Sequence, residues 1–238
     1  MRINPNLNID QLKEDYENDK NIIVHNFLID EDAEMLWDWL ANKMPEDWWF
    51  TALKGGGDYN DAPQSIRRTD SNTQKILDNY SSIYNSFHNN EFSYIFDRTH
   101  DHVEACDCLL CKYISFFSGA AMNEFVSNIT GIDQKLKKGE VFASRFTENQ
   151  FLSPHHDHKK GNTGTVYSLT KNWHPSYGGN LYILDQDYKT IEKVVISTFN
   201  RLVLFDIPSR NGIPHYVSHV VPGVRQKRLS ITGWLAAL

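Results

Sequence analysis

Apolar and polar positions follow two different rhythms along the chain, and the change falls near residue 140. Before it, apolar residues recur at three- and four-residue spacing. In EDAEMLWDWLANKM (31–44), Ala33, Leu36, Trp37, Leu40 and Ala41 share one helical face, and Asp30 stands where an N-cap would be. NIIVHNFL (21–28) reads as a strand leading into that helix. A second helix is expected over 73–90, with Ile76, Tyr80, Ile83 and Phe87 on one face, and a shorter one over 120–131, closed by Gly131. Between the first and second helices, residues 51–72 are rich in Gly and Asp; this predicts an irregular, mobile surface loop and a candidate lid. Lys54-Gly55-Gly56-Gly57 lacks the Gly-Lys-Ser/Thr ending and the incoming strand of a phosphate loop.

From residue 140 onward the pattern is short β-branched or aromatic runs parted by Gly, Pro, Asn and Asp. EVFASRF, GTVYSLT, GNLYILD, KTIEKVVIS, NRLVLFD, HYVSHVV and RLSITGWL predict an antiparallel sandwich or barrel. Helices first and strands later make the fold class α+β, mainly β, with helices packed on a double-sheet core. The 238 residues suit one domain over 1–238, with helical support and an insert over about 1–139 and the β core over about 140–238.

Composition narrows the function. Hydrophobic residues at 40% and aromatics at 13% are enough for a substantial interior. A net charge of −6 argues against a nucleic-acid partner, which calls for a basic surplus. No apolar run reaches the ~18–20 residues of a membrane span. The polar, acidic N-terminus has no signal-like apolar stretch. The cysteines Cys106, Cys108 and Cys111 lie in one short segment rather than in a dispersed disulfide framework, so the expected compartment is the reducing cytoplasm. The sequon at Asn128 is then without consequence.

The candidate chemistry sits in SPHHDHKKG. On an extended segment His155 and Asp157 share one face and His156 and His158 the other, so the first pair can reach one cation. A third ligand must come from IPHYVSHVVPGVRQKRLSITGW, where His215 and His219 are both candidates. Two histidines and one carboxylate on one face of an octahedron suit non-haem Fe(II), without excluding zinc or manganese. Nine residues past His219 (228 − 219), Arg228 opens a strand with Ser230 on its face, and a guanidinium beside a hydroxyl can grip a carboxylate. Arg145 reads as structural, and Lys159 and Lys160 as solvated. THDHVEACDCLLCK also offers His100, His102 and the three cysteines to zinc. C-x-C-x2-C is cramped and lacks a second pair, so reduced thiols in an insert are the leading reading and a zinc patch the alternative.

Taken together, SPHHD, SLTKNWHPSYGGNLYI, NRLVLFD and HVVPGVRQKRLSITGW resemble the prolyl 4-hydroxylase-like branch of the iron(II)/2-oxoglutarate dioxygenases. The Leu-x-x-x-Trp and Gly-Gly-x-Leu segments of that family correspond to Leu169, Trp173, Gly178, Gly179 and Leu181. The likeness covers 140–235 closely and 21–44 loosely. It implies a double-stranded β-helix (jelly-roll) core with helices outside. It also implies Fe(II) held by His155, Asp157 and His219, the family's His-to-Arg separation of about nine selecting His219 over His215. Arg228, helped by Ser230, would bind the 2-oxoglutarate cosubstrate, with O2 consumed and ascorbate as a reductant. The activity implied is hydroxylation of an unactivated C–H with release of succinate and CO2. A peptidyl proline is the first substrate to consider, ahead of a free amino acid or natural product. The related halogenases carry a small residue where Asp157 stands, so the carboxylate favours hydroxylation. Phe146 departs from the family in replacing a tyrosine near the cosubstrate. The competing class is a non-catalytic jelly roll that binds metal or a partner. A hydrolase is disfavoured by the lack of a Gly-x-Ser-x-Gly elbow.

Overall fold

The computed structural model describes residues 1–57, 62–100, 106–157, 160–207 and 212–237, with the side chains of 134–140 and 237 left aside. In chain order the elements are α1 (Ile9–Asp19), β1 (Asn21–His25), α2 (Asp30–Asp38), β2 (Trp49–Gly55), β3 (Gln64–Arg67), α3 (Thr73–His88), β4 (Ser93–Thr99), α4 (Leu109–Phe117) and α5 (Ala120–Thr130). There follow β5 (Gln134–Phe146), β6 (Phe151–His155), β7 (Thr163–Ser168), β8 (Leu181–Leu184), β9 (Ile191–Val195), β10 (Arg201–Asp206), β11 (His215–Val217) and β12 (Arg228–Ala237). The expected α+β, mainly β, jelly-roll-like class is what forms: a curled, antiparallel sheet in the order β1-β10-β7-β12-β5-β4-β6-β11-β8-β9, with β2 and β3 attached through β4. Among the described residues no helix is long and apolar enough to cross a membrane.

Period-two alternation decides which side chains enter the curl. On β12, Leu229, Ile231 and Leu235 are buried on the outer face, while Arg228, Ser230, Thr232 and Trp234 line an internal cavity. Its neighbour β5 does the same, sending Val141 and Ala143 outward and Phe142, Ser144 and Phe146 inward. The outward residues form one apolar layer with Tyr16 of α1, Leu36 of α2, Tyr113 and Phe117 of α4, and Met122, Phe125 and Ile129 of α5. These helices therefore back the sheet and leave its inner face free for the site. On the far side, Ile76 and Ile83 of α3 pack on Leu53, Ile95 and Phe151.

Three expectations about the elements are overturned. Residues 51–72 are not an irregular loop: Trp49–Gly55 and Gln64–Arg67 pair as a hairpin, and Lys54 is buried; only 58–61 of the expected lid lie outside the described residues. Buried positions on both faces of β2 give it no alternation, so its Gly-rich end dominates the local signal. Asp30 is the first helical residue rather than the cap; Ile29 takes that position with no side-chain bond, and Asp30 faces the positive helix end instead. The helix then ends in a π turn over Trp39–Lys43 rather than continuing as α to 44. Arg145 is structural as expected. It is 1% exposed and donates to Asp97 (Nη2, 2.8 Å) and Glu46 (Nη1, 2.7 Å), tying β5 to β4 and to the turn before β2.

Candidate active site

His155 ends β6, Asp157 follows two residues on, and His215 opens β11 directly opposite His155 in the ladder. Each imidazole has its Nδ1 fixed by the backbone: His155 at 3.0 Å from the Ser153 carbonyl, His215 at 2.8 Å from that of Ile213. A carbonyl only accepts, so both Nδ1 atoms carry the proton and both Nε2 atoms present a lone pair for coordination. Those lone pairs face one carboxylate from two sides. His155 Nε2 lies 3.6 Å from Asp157 Oδ1, and His215 Nε2 lies 3.6 Å from Oδ2. The three donors are within 4.8 Å of one another and all three residues are buried. Burial, and then the neighbouring His215, push the His155 imidazole down to about 4, with Asp157 pulling the other way. Neutral imidazole is the form a metal needs, so protons do not compete for His155 near neutral pH.

Asp157 is itself oriented. Trp234 Nε1 donates to Oδ2 at 2.8 Å, from the same face of β12 that carries Arg228 and Ser230. The sequence reading did not assign Trp234, although counting by twos from Arg228 reaches it. Outer partners of metal ligands are typically worth 10–100-fold in metal affinity. Trp234→Phe, which keeps the ring and drops the donor, is expected to weaken Fe(II) binding by about that factor with the fold intact. An anaerobic metal titration beside a far-UV spectrum checks this.

His219, assigned as the distal ligand from the family spacing, is not with the others. Its ring stacks on Phe151 (4.1 Å between centroids, 23° between planes) and meets Phe87 edge-on at 4.7 Å. It lines a separate cavity with residues of the α3 side. The physical reason is a break in the strand. β11 ends at Val217 after a register shift, and Gly179 N–H then bonds to the Ser218 and His219 carbonyls. Alternation lapses there, and the imidazole turns to the outer, aromatic side. Gly178 permits that crossing: a Cβ on it would lie 1.9 Å from the His219 carbonyl oxygen, and its φ is +70°. Of the set read from sequence, His155 and Asp157 are brought together, His215 joins them, and His219 does not.

Arg228 and Ser230 lie in the same cavity, which measures about 380 Å³. Arg228 is 3% exposed, and its guanidinium donates to Ser230 Oγ at 3.2 Å and lies 4.9 Å from the Phe146 ring centroid. Its Nε is buried without a hydrogen-bond partner, and no carboxylate pairs with it among the described residues. Burial alone pulls its pKa down to about 10. An unpaired cation is costly to bury, so the pocket is built for an anion. Phe146 meets the guanidinium with its ring face where a tyrosine would offer a hydroxyl. The hydroxyls at hand are those of Ser230 and Ser144, 2.8 Å apart on paired strands. The Trp173–Gly179 segment walls off the arginine stem, since a Cβ on Gly179 would lie 3.1 Å from the Trp173 ring and 3.2 Å from Arg228 Cδ. Two imidazoles and a carboxylate converging beside an unpaired buried guanidinium fit a divalent metal together with a chelating dicarboxylate.

Of the residues offered to zinc, Cys106, Cys108 and Cys111 cluster at the start of α4, while His100 is held elsewhere, with Nε2 2.7 Å from Ser65 Oγ. His102, His158 and Lys159 lie outside the described residues. Lys160 lines the cavity mouth, its Nζ 5.3 Å from the Trp234 ring centroid, rather than standing free in solvent.

Residues 141–236 match the 2OG-Fe(II) oxygenase superfamily. Three solved structures share the fold over nearly the whole chain. A 2OG-Fe(II) oxygenase family oxidoreductase from Burkholderia pseudomallei aligns with a TM-score of 0.60 at 12% identity, covering 99% of this chain and 93% of its own. A Pseudomonas putida prolyl-4-hydroxylase aligns at 0.59 and 15% identity, covering 97% and 99%. A Trichoplax adhaerens prolyl hydroxylase, solved with a hypoxia inducible factor oxygen degradation domain peptide fragment, aligns at 0.59 and 15%, covering 96% and 89%. No curated protein sequence matches the chain significantly.

Proposed function

We propose, from the match of residues 141–236 to the 2OG-Fe(II) oxygenase superfamily, that the chain is a hydroxylase of an unactivated C–H bond. His155, Asp157 and His215 would hold Fe(II), and Arg228 with Ser230 would anchor 2-oxoglutarate. The observation that carries this reading is the pair of Nε2 atoms, each 3.6 Å from one oxygen of Asp157, in the same cavity as the unpaired Arg228. Bound together, the metal and keto acid supply the oxidation: O2 is consumed, 2-oxoglutarate becomes succinate and CO2, and the second oxygen atom goes to the substrate as an alcohol. The residues of the chain bind, orient and exclude. The Ser153 and Ile213 carbonyls hold both imidazoles in the coordinating tautomer, and Trp234 holds the carboxylate. Asp157 would occupy the ligand position that a halide needs, which favours oxygen as the atom transferred. Phe96, Phe142, Val166 and Phe205 make the cavity wall apolar, which keeps bulk water from the reacting centre.

For the substrate we put a prolyl residue in a peptide first. Support comes from the fold shared with two enzymes named as prolyl hydroxylases, one of them solved with a peptide. Free amino acids and natural products are the alternatives. The test incubates the protein with Fe(II), ascorbate, O2 and 2-oxoglutarate. Succinate should form slowly alone and faster with proline-containing peptides, which should gain the mass of one oxygen atom. Absence of succinate, together with no metal-to-ligand absorption when Fe(II) and 2-oxoglutarate are mixed anaerobically with the protein, overturns the reading. Stimulation by free amino acids but not by peptides overturns only the substrate.

A further inference from the structure

A second group of potential metal donors lies outside the histidine site, at the start of α4. Cys106 Sγ is 2.7 Å from Cys108 Sγ and 2.9 Å from Cys111 Sγ. These spacings are longer than the ~2.05 Å of a disulfide and shorter than the contact of unbonded sulfurs, and all three side chains are half-buried. A disulfide would join two of them and exclude the third. Here all three sulfurs converge on one point, which is what a shared cation requires.

The backbone holds these sulfurs in place. Cys108 is the N-cap of α4, and the Cys111 N–H points at Cys108 Sγ at 3.4 Å. This N–H bond fixes the first sulfur of a Cys-x-x-Cys turn at the start of a nine-residue helix, beside the sulfur of Cys106. The next turns of α4 are anchored, since Leu110, Tyr113 and Phe117 are buried in the layer behind the sheet. Cys108 packs against that layer as well. The cluster thus joins a rigid helix to the segment that enters it.

We propose that Cys106, Cys108 and Cys111 form a second metal site, separate from the histidine–carboxylate centre, that takes zinc through three thiolates. Binding releases the thiol protons to solvent, and the fourth position is left to water or a further donor. Zinc–sulfur bonds of about 2.3 Å in a tetrahedron set sulfurs about 3.8 Å apart. Filling the site therefore spreads the three side chains by about 1 Å, a change that rotation of half-buried cysteines at a helix start accommodates. The role is a staple that fixes the entry of α4 against the helical layer. It does not depend on the proposed hydroxylase activity.

The test uses the full chain carrying His155→Ala and His215→Ala, so that the histidine site is silent, titrated anaerobically with Co(II) under reducing conditions. A sulfur-to-cobalt charge-transfer band saturating at one equivalent, displaced by zinc and lost in Cys108→Ser, is the expected result. In the unsubstituted protein, zinc should protect all three cysteines together from alkylation, as read by peptide mapping; this arm needs no variant that could misfold. Cobalt bound without a charge-transfer band, or alkylation unchanged by zinc, overturns the proposal. Formation of a disulfide between two of the cysteines at the same rate with and without zinc overturns it as well.

Discussion

His215→Ala is expected to lower succinate formation by at least ~1000-fold, whereas His219→Phe leaves it nearly unchanged, because even an outer-sphere partner of a metal ligand is worth 10–100-fold. The two histidines are four residues apart, and spacing to Arg228 favours His219, whereas the geometry favours His215. Geometry separates them. His215 presents Nε2 to Asp157 at 3.6 Å with its Nδ1 fixed by the Ile213 carbonyl. His219 presents its ring to Phe151, Phe87 and Tyr84. Burial lowers the pKa of His219, so it is a neutral aromatic in an aromatic cluster, and phenylalanine replaces the stacking without the nitrogens. The measurement is anaerobic Fe(II) binding and turnover for each variant, with thermal unfolding to show that the fold survives. Metal binding lost with His219→Phe and kept with His215→Ala would restore the nine-residue spacing as the guide to the distal ligand.

That exchange of histidines marks where the sequence stops being legible. The seven runs after residue 140 all became strands, because each is a short apolar segment bounded by turn residues, and β6 carries the extended segment assumed for His155. Side-chain alternation held wherever a strand continued, which is why Arg228 and Ser230 share the cavity. It failed past Val217, where the strand ends after a register shift between His215 and Val217 and the backbone crosses Gly178 and Gly179. Spacing counts residues, whereas coordination depends on which face they take, and a bulge changes the face without changing the count. Two of the strands missed altogether have a similar cause. β2 and β4 are buried on both faces, so Trp49–Gly55 and Ser93–Thr99 show no period of two. The partners that orient the site were hidden for another reason: Ser153 and Ile213 act through carbonyls, which every residue has. Ser144 was recoverable only from a register, Ser144 opposite Ser230, that pairing fixes after folding.

The remaining large effect concerns Arg228. Holding the guanidinium charged while burial pulls its pKa to about 10 costs on the order of 3 kcal/mol, a penalty that is fully present at neutral pH. A dicarboxylate that reaches the arginine offsets that cost, and removing one partner of such a buried charge pair is typically worth about 3–5 kcal/mol. Arg228→Met, which keeps the apolar stem beside Trp173 and Gly179, should therefore raise the apparent KM for 2-oxoglutarate by about 100- to 5000-fold. It should also make the unliganded protein more stable. At about 2–4 °C per kcal/mol for a chain of this size, the ligand-free Tm is expected to rise by several degrees. In the parent protein, saturating 2-oxoglutarate at ~100 Kd should add about 2.7 kcal/mol of stability, and in Arg228→Met nearly none. The opposite signs are the discriminating feature. A merely structural arginine would lose stability on substitution and would leave the ligand-induced shift in place. Thermal unfolding of both proteins, with and without 2-oxoglutarate, reads the two effects in one experiment. A fall in Tm for Arg228→Met with an undiminished ligand shift would move the cosubstrate anchor away from β12.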